Sequence, residues 1–513
     1  MSMLDYVPEW ILVHGPAFLI VLPLLMAAIT AILPKRQLAW SVAFFVSVIC
    51  TVTALALALN NLQNGVTVYP MGGWAPPHGI SLVIDALSAP VLILIAFMAV
   101  VSLVYALPAT MAEIEPKKRA AYYAAFLLCM AGLLGMVVTG DAFNVFVFLE
   151  VSSISTYVLV AMGAARDRRA LSAAYNYLIL GSIGATFFVI GIGFLYMETG
   201  TLNMADMARI LADLDGGSRV AKVAFGFIIV GLGLKLAMFP LHTWLPGAYA
   251  YSPTHVTTFL ASTATKAALY LLVRFVFTVF NPEYDYVETI LTFVLVGLGV
   301  FGMIFASLQA IFQTDARRML AFSSVAQVGY MLLGIGIATV ASVGAGYLHL
   351  LNHAIIKGGL FLAVGAMWYR FGITRTVNFK GLSKTMPWTM GAFLVSGLSL
   401  IGVPFTAGFV SKVQLAQAAA ASGAWWAVGV IVLSSILALV YIGRILLDAY
   451  FQDPPIVNGA PAVRNEAPLL MLAPMWLLAI LSIAIGSNIL GLGDLLVETS
   501  ERAASFVLPG MGD

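Results

Sequence analysis

The feature that most constrains this chain is a succession of long apolar runs, broken only by short polar stretches. Crossing the hydrocarbon of a bilayer takes ~20 apolar residues in a helix. About fourteen runs meet that length, near 10–32, 38–59, 81–107, 121–139, 143–163, 171–197, 220–241, 254–279, 287–310, 317–340, 344–369, 388–420, 423–448 and 467–492. Of the 513 residues, 61% are hydrophobic and 9% charged, against about 45–50% apolar and about 25% charged in soluble domains. A soluble fold cannot hide that much apolar surface. The expected fold is therefore an all-α integral membrane protein of about fourteen transmembrane helices.

Other classes fall away on composition. Lys+Arg 25 and Asp+Glu 23 nearly cancel, and no basic domain offers a nucleic-acid footprint. The two cysteines, Cys50 and Cys129, lie inside apolar runs and are too few for a disulfide framework or a cysteine metal site. Six scattered histidines suggest neither haem nor zinc, so no cofactor and no metal are expected. No Walker A or Gly-rich dinucleotide fingerprint occurs. The loops reach only about twenty residues, which leaves no room for a nucleotide or redox domain. The energy source is then an ion gradient or a partner protein.

Lys and Arg set the orientation, because cytoplasmic loops are enriched in them. Lys35 and Arg36 follow span 1, Lys117, Lys118 and Arg119 follow span 3, and Arg166, Arg168 and Arg169 follow span 5. Arg317 and Arg318 precede span 10, and Arg370, Arg375, Lys380 and Lys384 precede span 12. All fall on one side if the spans alternate, so both termini are expected outside. The N-terminus carries Asp5 and Glu9 rather than a positive region, so the first run reads as a true span and not a cleaved signal. The loop at 198–219 mixes Arg209 and Arg219 with acids and reads as a short amphipathic surface helix. The whole chain, 1–513, is expected to form one membrane domain. Its parts are a three-helix segment at 10–107, two inverted five-helix repeats at 121–279 and 287–448 (spans 4–8 and 9–13), and a final helix at 467–492.

Ionisable residues inside spans are costly, ~2.5–3.5 kcal/mol on insertion scales, and mark function by default. Glu150 sits mid-span, as do Lys235, Lys266 and Lys412, while His349, His353 and Lys357 share one span. A relay lysine needs its ordinary pKa of ~10.4 brought down, which burial beside a second ammonium achieves. One acid among four lysines suggests a switch in which Glu150 holds a lysine charged when near and releases it when far. His349, His353 and Lys357 recur every four residues, a stripe on one helix face suited to a hydrated proton wire. Asp85, near the start of span 3, reads as an interfacial residue.

Two spans carry internal breaks. Lys235 precedes Met238-Phe239-Pro240, and Gly402-Val403-Pro404 precedes Lys412. Proline removes a helix hydrogen bond, so helices 7 and 12 are expected to break at Pro240 and Pro404. Paired interrupted helices at matching positions of two halves point to an ion path.

At these residues the chain resembles the antiporter-like membrane subunits shared by respiratory complex I and the multisubunit Mrp cation/proton antiporters. The resemblance runs through nearly the whole chain and is strongest over about 140–420. Gly140 through Glu150 is similar to the span-5 motif that ends in the family's glutamate. Lys235 through Pro246 resembles the span-7 motif, Lys266 falls at the span-8 lysine, and Asp315 through Ser324 resembles the start of span 10. His349, His353 and Lys357 match the span-11 ladder, and Lys412 the span-12 lysine. The Asp-x-Phe-Asn before Glu150 and the Trp244–Tyr249 stretch resemble the D-type branch of the Mrp antiporter family. Asn176 stands where many relatives have lysine, so one coupling charge is absent.

The resemblance implies a proton-translocating subunit of an Mrp-type Na⁺(K⁺)/H⁺ antiporter in the cell inner membrane. It would work beside other subunits of that complex, on H⁺ and Na⁺ or K⁺, within the lipid bilayer. Protons would enter near the Glu150–Lys235 pair and pass Lys266. They would continue along His349, His353 and Lys357 and exit near Lys412. The alternatives are a proton-pumping subunit of an NADH:quinone oxidoreductase or hydrogenase-type complex, and a vectorial module for another substrate such as inorganic carbon.

Overall fold

In a computed structural model, residues 7–33, 36–454, 456–457, 460–461 and 464–509 are described. Asp5 and Lys35 lie outside the described residues. The chain is almost wholly helical. In order come α1 (Glu9–Ile32), α2 (Arg36–Asn64), a hairpin of β1 (Thr67–Pro70) and β2 (Ser81–Ile84), then α3 (Ser88–Glu113), α4 (Arg119–Val138) and α5 (Ala142–Ala161). Next are α6 (Arg169–Thr199), α7 (Met204–Asp213), α8 (Arg219–Leu236), α9 (Leu245–Tyr251) and α10 (Thr254–Arg274). A long bent helix, α11 (Asp285–Ile311), follows. The remainder are α12 (Ala316–Ile337), α13 (Val340–Phe371), α14 (Pro387–Ile401), α15 (Ala407–Ala421), α16 (Trp425–Phe451), α17 (Leu469–Gly486) and α18 (Leu492–Val507).

Among the described residues, 12 helices are long and apolar enough to cross a membrane by length and composition. The two remaining predicted spans are the two predicted breaks. Span 7 stops short, α8 ending at Leu236 and the helix resuming only as α9 beyond the expected bound of 241, and span 12 is divided into α14 and α15. The chain is a multi-pass membrane protein whose fourteen apolar runs account for its helical framework.

Burial sorts these helices into a centre and a rim. The apolar windows of α10 and α13 are wholly buried, while those of α1, α6, α11 and α16 are mostly outward-facing. Lipid tails are as apolar as leucine, so helices in a membrane associate through close packing at small residues. Gly184 and Gly231 meet where α6 crosses α8, and Gly299 meets Gly329 where α11 crosses α12. In both places an added Cβ would press on the backbone of the facing helix.

The two halves share local construction. Asp141 caps the start of α5 by accepting from Asn144 N, and Asp315 caps α12 by accepting from Arg317 N and Arg318 N. Each capping aspartate also pairs with a residue just beyond the next long helix, Asp141 with Asn203 and Asp315 with Arg375. Those next helices, α6 and α13, both end on a left-handed glycine, Gly200 at φ 68° and Gly372 at φ 65°.

Three features depart from expectation. Residues 81–84 form β2, paired Thr67↔Ile84 through Pro70↔Ser81, so span 3 begins at Ser88. A further helix, α18, follows the last span and lays its small residues Ser500, Ala503 and Ala504 inward. Asp85 is not interfacial but 1% exposed, in an ion pair with Arg274 at 2.7 Å. The expected surface helix at 198–219 is α7, where Arg209 bridges Asp206 and Asp213.

Candidate functional site

Lys235 lies in the last turn of α8 and is 5% exposed. Beyond it the helix stops. Ala237 is left-handed at φ 60°, and its N–H and that of Met238 close back onto Leu234 and Gly233. The indole of Trp244 donates to Leu234 O at 2.9 Å, so the freed end of α8 is satisfied inside the protein, as irregular backbone at membrane depth requires. Trp244 stacks on Tyr177 at 4.0 Å, and the Lys235 ammonium lies 5.9 Å from that tyrosine's ring centre. Lys235 Nζ donates to Ser153 Oγ on α5.

Glu150 is on the same helix as Ser153, one turn before it, and is half-buried. The expected Glu150–Lys235 pair is not in direct contact: among the described residues Glu150 makes no hydrogen bond or ion pair. Its neighbours on that stripe of α5, Val147 and Ile154, are exposed. The carboxylate therefore stands between Lys235 inside and the outer face of the helix.

Lys266 is central to α10, every residue of which is buried. It donates to Ala261 O and to Thr265 Oγ1. One turn before it, Ser262 Oγ donates to Ala354 O at 2.9 Å, which fixes α10 against α13 beside the histidine stripe. There His349 and His353 stack with ring centres 6.1 Å apart and planes at 11°. His349 Nε2 is hydrogen-bonded with Gln327 Oε1 at 2.9 Å, and its Nδ1 with Ser411 Oγ at 2.9 Å. Both nitrogens of the fully buried His353 lack a protein partner, the situation that internal water relieves. Lys357, one turn on, turns toward α12 and donates to Leu320 O at 2.9 Å and to Ser323 Oγ.

Lys412 reaches the second break. α14 ends at Ile401 on a left-handed Gly402, φ 95°, and the chain re-enters helix at Ala407 past Pro404. The Lys412 ammonium donates to Leu400 O and Ile401 O, both at 2.9 Å, and to Ser435 Oγ at 3.2 Å. A cation at the carbonyl end of a helix is where its dipole favours positive charge. Asn352 Nδ2 donates to Ala407 O at 2.8 Å and pins the start of α15 to α13.

The four lysines and two histidines expected from the sequence are all buried, Glu150 stands half-buried at their edge, and the breaks fall at Pro240 and Pro404 as expected. Among the described residues, no direct hydrogen bond joins successive members. Each lysine is held by hydroxyls or carbonyls and none by an acid. Sequence reasoning missed Ser153, Gln327 and Ser411, and also Tyr330 of α12, whose ring centre lies 4.8 Å from the Lys412 ammonium. Their only signal was a polar group inside an apolar run, which is common in membrane helices. It also missed the buried pairs Asp85–Arg274 and Glu113–Arg166.

The family described as NADH:quinone oxidoreductase/Mrp antiporter, TM, matches residues 139–438, the stretch from the α5 cap to α16. The chain belongs to this family. The N-type subunit of the NADH-quinone oxidoreductase of Desulforudis audaxviator is 41% identical over 93% of this chain and 96% of its own. The D-type subunit of the Na(+)/H(+) antiporter of Alkalihalophilus pseudofirmus is 31% identical over 83% of this chain and 85% of its own. A chain in the Mrp complex of a Dietzia species superposes with TM-score 0.88 at 28% identity, covering 97% of both chains. Lys235, Lys266, the α13 stripe and Lys412 all fall inside the family match.

Proposed function

We propose that this chain is a proton-translocating subunit of an Mrp-type multisubunit Na⁺(K⁺)/H⁺ antiporter. The carrying observation is the interior row Lys235, Lys266, His349, His353, Lys357 and Lys412. Its members span both halves of the fold and end at a helix break on each side. Glu150, half-buried beside Lys235, acts as the movable charge. When it approaches Lys235 it holds that ammonium protonated. When it withdraws, Lys235 passes its proton inward through water toward Lys266 and the α13 stripe, and Lys412 releases it at the second break. Residues 121–279 and 287–448 act as inverted repeats, a reading supported by the matched aspartate caps, post-helix pairings and terminal glycines. Cation movement takes place elsewhere in the assembly, and the chain sits in the inner membrane with both termini outside.

A second reading has a specific observation behind it. The 41% identical relative is named an NADH-quinone oxidoreductase subunit, which favours the same interior row driven by redox chemistry in neighbouring subunits.

The experiment measures Na⁺-dependent proton movement in everted vesicles from cells expressing this gene with its neighbouring genes, with Glu150→Gln as control. Na⁺-driven movement that disappears in the variant is expected. Proton pumping that responds to NADH or another reductant and ignores Na⁺ moves the chain to the redox assembly.

A further inference from the structure

A cavity of about 360 Å³ opens on the flank of the protein between α6, the α8–α9 break and the start of α12. His242, Arg318, Gln309 and Asn176 line it. None belongs to the interior row. His242 is 5% exposed, yet its Nδ1 has no hydrogen-bond partner. Its ring is fixed by stacking on Phe239 at 5.3 Å. Arg318 is half-buried, its Nε is buried without a partner, and its guanidinium makes no hydrogen bond or ion pair among the described residues. The acid nearest to it in sequence, Asp315, has its carboxylate turned to the backbone N–H groups of Arg317 and Arg318. A half-buried guanidinium whose Nε has no protein partner thus shares one recess with an imidazole whose buried Nδ1 has none, and an anion seated there would satisfy the guanidinium.

The helices that flank the opening indicate the kind of anion. On α6, which carries Asn176, Tyr175 (62% exposed) and Ile179 (43%) face outward, and on α11 and its end, either side of Gln309 in sequence, Phe305 (47%) and Phe312 (79%) do the same. A polar, positively charged recess bordered by outward-facing apolar side chains fits a molecule with an anionic head and hydrocarbon tails. The forked donor set of arginine matches a phosphate group. We propose that this cavity binds the phosphate of an anionic phospholipid. Arg318 and the Asn176 amide donate to the phosphate oxygens, His242 completes the floor, and the acyl chains run along the exposed faces of α6 and α11. The headgroup then shields the α8–α9 break from the bilayer side.

The test reads lipid binding in the assembled complex and is independent of what the complex transports. Detergent-purified wild-type complex is delipidated, then titrated with phosphatidylglycerol, phosphatidylcholine or inorganic phosphate, and bound lipid is measured by native mass spectrometry. Phosphatidylglycerol is expected to bind, with Arg318→Gln weakening it about tenfold, the scale of one hydrogen bond to a charged group. Arg318→Lys should retain most of the binding. If Arg318→Gln fails to assemble, Gln309→Glu, an exposed substitution at the rim, should weaken binding through charge repulsion alone. Equal binding by the wild type and the charge-altering variants overturns the proposal. Inorganic phosphate competing as well as phosphatidylglycerol at equal concentration overturns the lipid assignment in favour of a soluble anion. Wild-type complex that takes up no lipid overturns it too, and leaves a neighbouring subunit as the group that covers Arg318.

Discussion

Gly402 makes room for Lys412: a Cβ built at position 402 would lie 3.0 Å from Lys412 Cδ and 3.6 Å from its Nζ. The same glycine holds φ 95° at the end of α14. The second break therefore depends on glycine twice, once for the backbone and once for the ammonium that covers its carbonyls. Gly402→Ala is expected to cost about 1–2 kcal/mol for the left-handed backbone and to push Lys412 off Leu400 and Ile401. Thermal denaturation of the assembled complex checks the first effect. Transport rate checks the second, and should fall more than in Gly429→Ala, where an added Cβ meets open space. Equal rates in the two variants would show that the Lys412 position does not matter.

At the first break, the hydroxyl of Ser153 donates to Leu149 O and accepts from Lys235, while the adjacent Ser152 also donates to Leu149 O but meets no lysine. Ser153→Ala is expected to slow transport about tenfold, the equivalent of ~1.4 kcal/mol and within the range of one hydrogen bond to a charged group. Ser152→Ala serves as the control and should lie within about twofold of wild type, since it removes only a bond to its own helix. Glu150→Gln should lose transport entirely, because the variant keeps the shape of the side chain and removes its charge. A Glu150→Gln complex that assembles and transports at the wild-type rate contradicts the switch.

Much of this was legible in the sequence, because charge and proline stand out against apolar runs. Lys235, Lys266, Lys357 and Lys412 announce themselves in a hydrocarbon context, and Pro240 and Pro404 mark where helices 7 and 12 break. The partners were less visible. Ser153, Gln327 and Ser411 are ordinary polar residues in membrane helices, and only the reach of Lys235 from α8 to α5, or the packing of α13 on α12 and α15, gives them a role. The strand β2 was absorbed into span 3 because Ser81–Ile84 is as apolar as the helix after it. Asp85 reads as interfacial because it stands at a span end, and its partner Arg274 is 189 residues further along. The separation of Glu150 from Lys235 is likewise a matter of which way α5 faces, which periodicity in a uniformly apolar helix does not report.

At the start of α6, outside the membrane span, Asp167 accepts from Arg169 N at 2.9 Å and from the Arg169 guanidinium at 2.6 Å. The side-chain hydrogen bond from Arg169 holds the Asp167 carboxyl below its ordinary value of 3.8. For a carboxylate whose folded pKa is depressed, the stabilisation is present above the unfolded pKa and is lost as pH falls through the folded value. The pair is solvent-exposed, so Asp167→Asn is expected to cost only about 0.5 kcal/mol at pH 7. The difference between variant and wild type should vanish below the folded carboxyl's depressed pKa and already shrink as pH approaches it. Denaturation midpoints of both proteins, followed from pH 7 down through that range, check this. A difference that does not shrink with falling pH assigns the loss to something other than the charge.

The Asp85–Arg274 pair ties the start of α3 to the end of α10 from inside the protein. Arg274 Nη2 lies 2.8 Å and 2.7 Å from the two Asp85 oxygens and 2.9 Å from Tyr270 Oη. Asp85 also accepts from Leu87 N and Ser88 N, which caps α3. Removing one partner of a buried pair strands the other charge and costs about 3–5 kcal/mol, whereas removing both costs far less. Arg274→Leu is therefore expected to destabilise the complex strongly by leaving a carboxylate buried and unpaired. Asp85→Asn keeps a capping oxygen but strands the guanidinium. The double variant Asp85→Asn with Arg274→Leu should recover much of the loss, because the asparagine still caps α3 and no charge remains buried. Melting temperatures of the four proteins close this cycle. Single-variant losses that simply add in the double variant would mean the two residues stabilise the fold independently, and that the ion pair is not what joins α3 to α10.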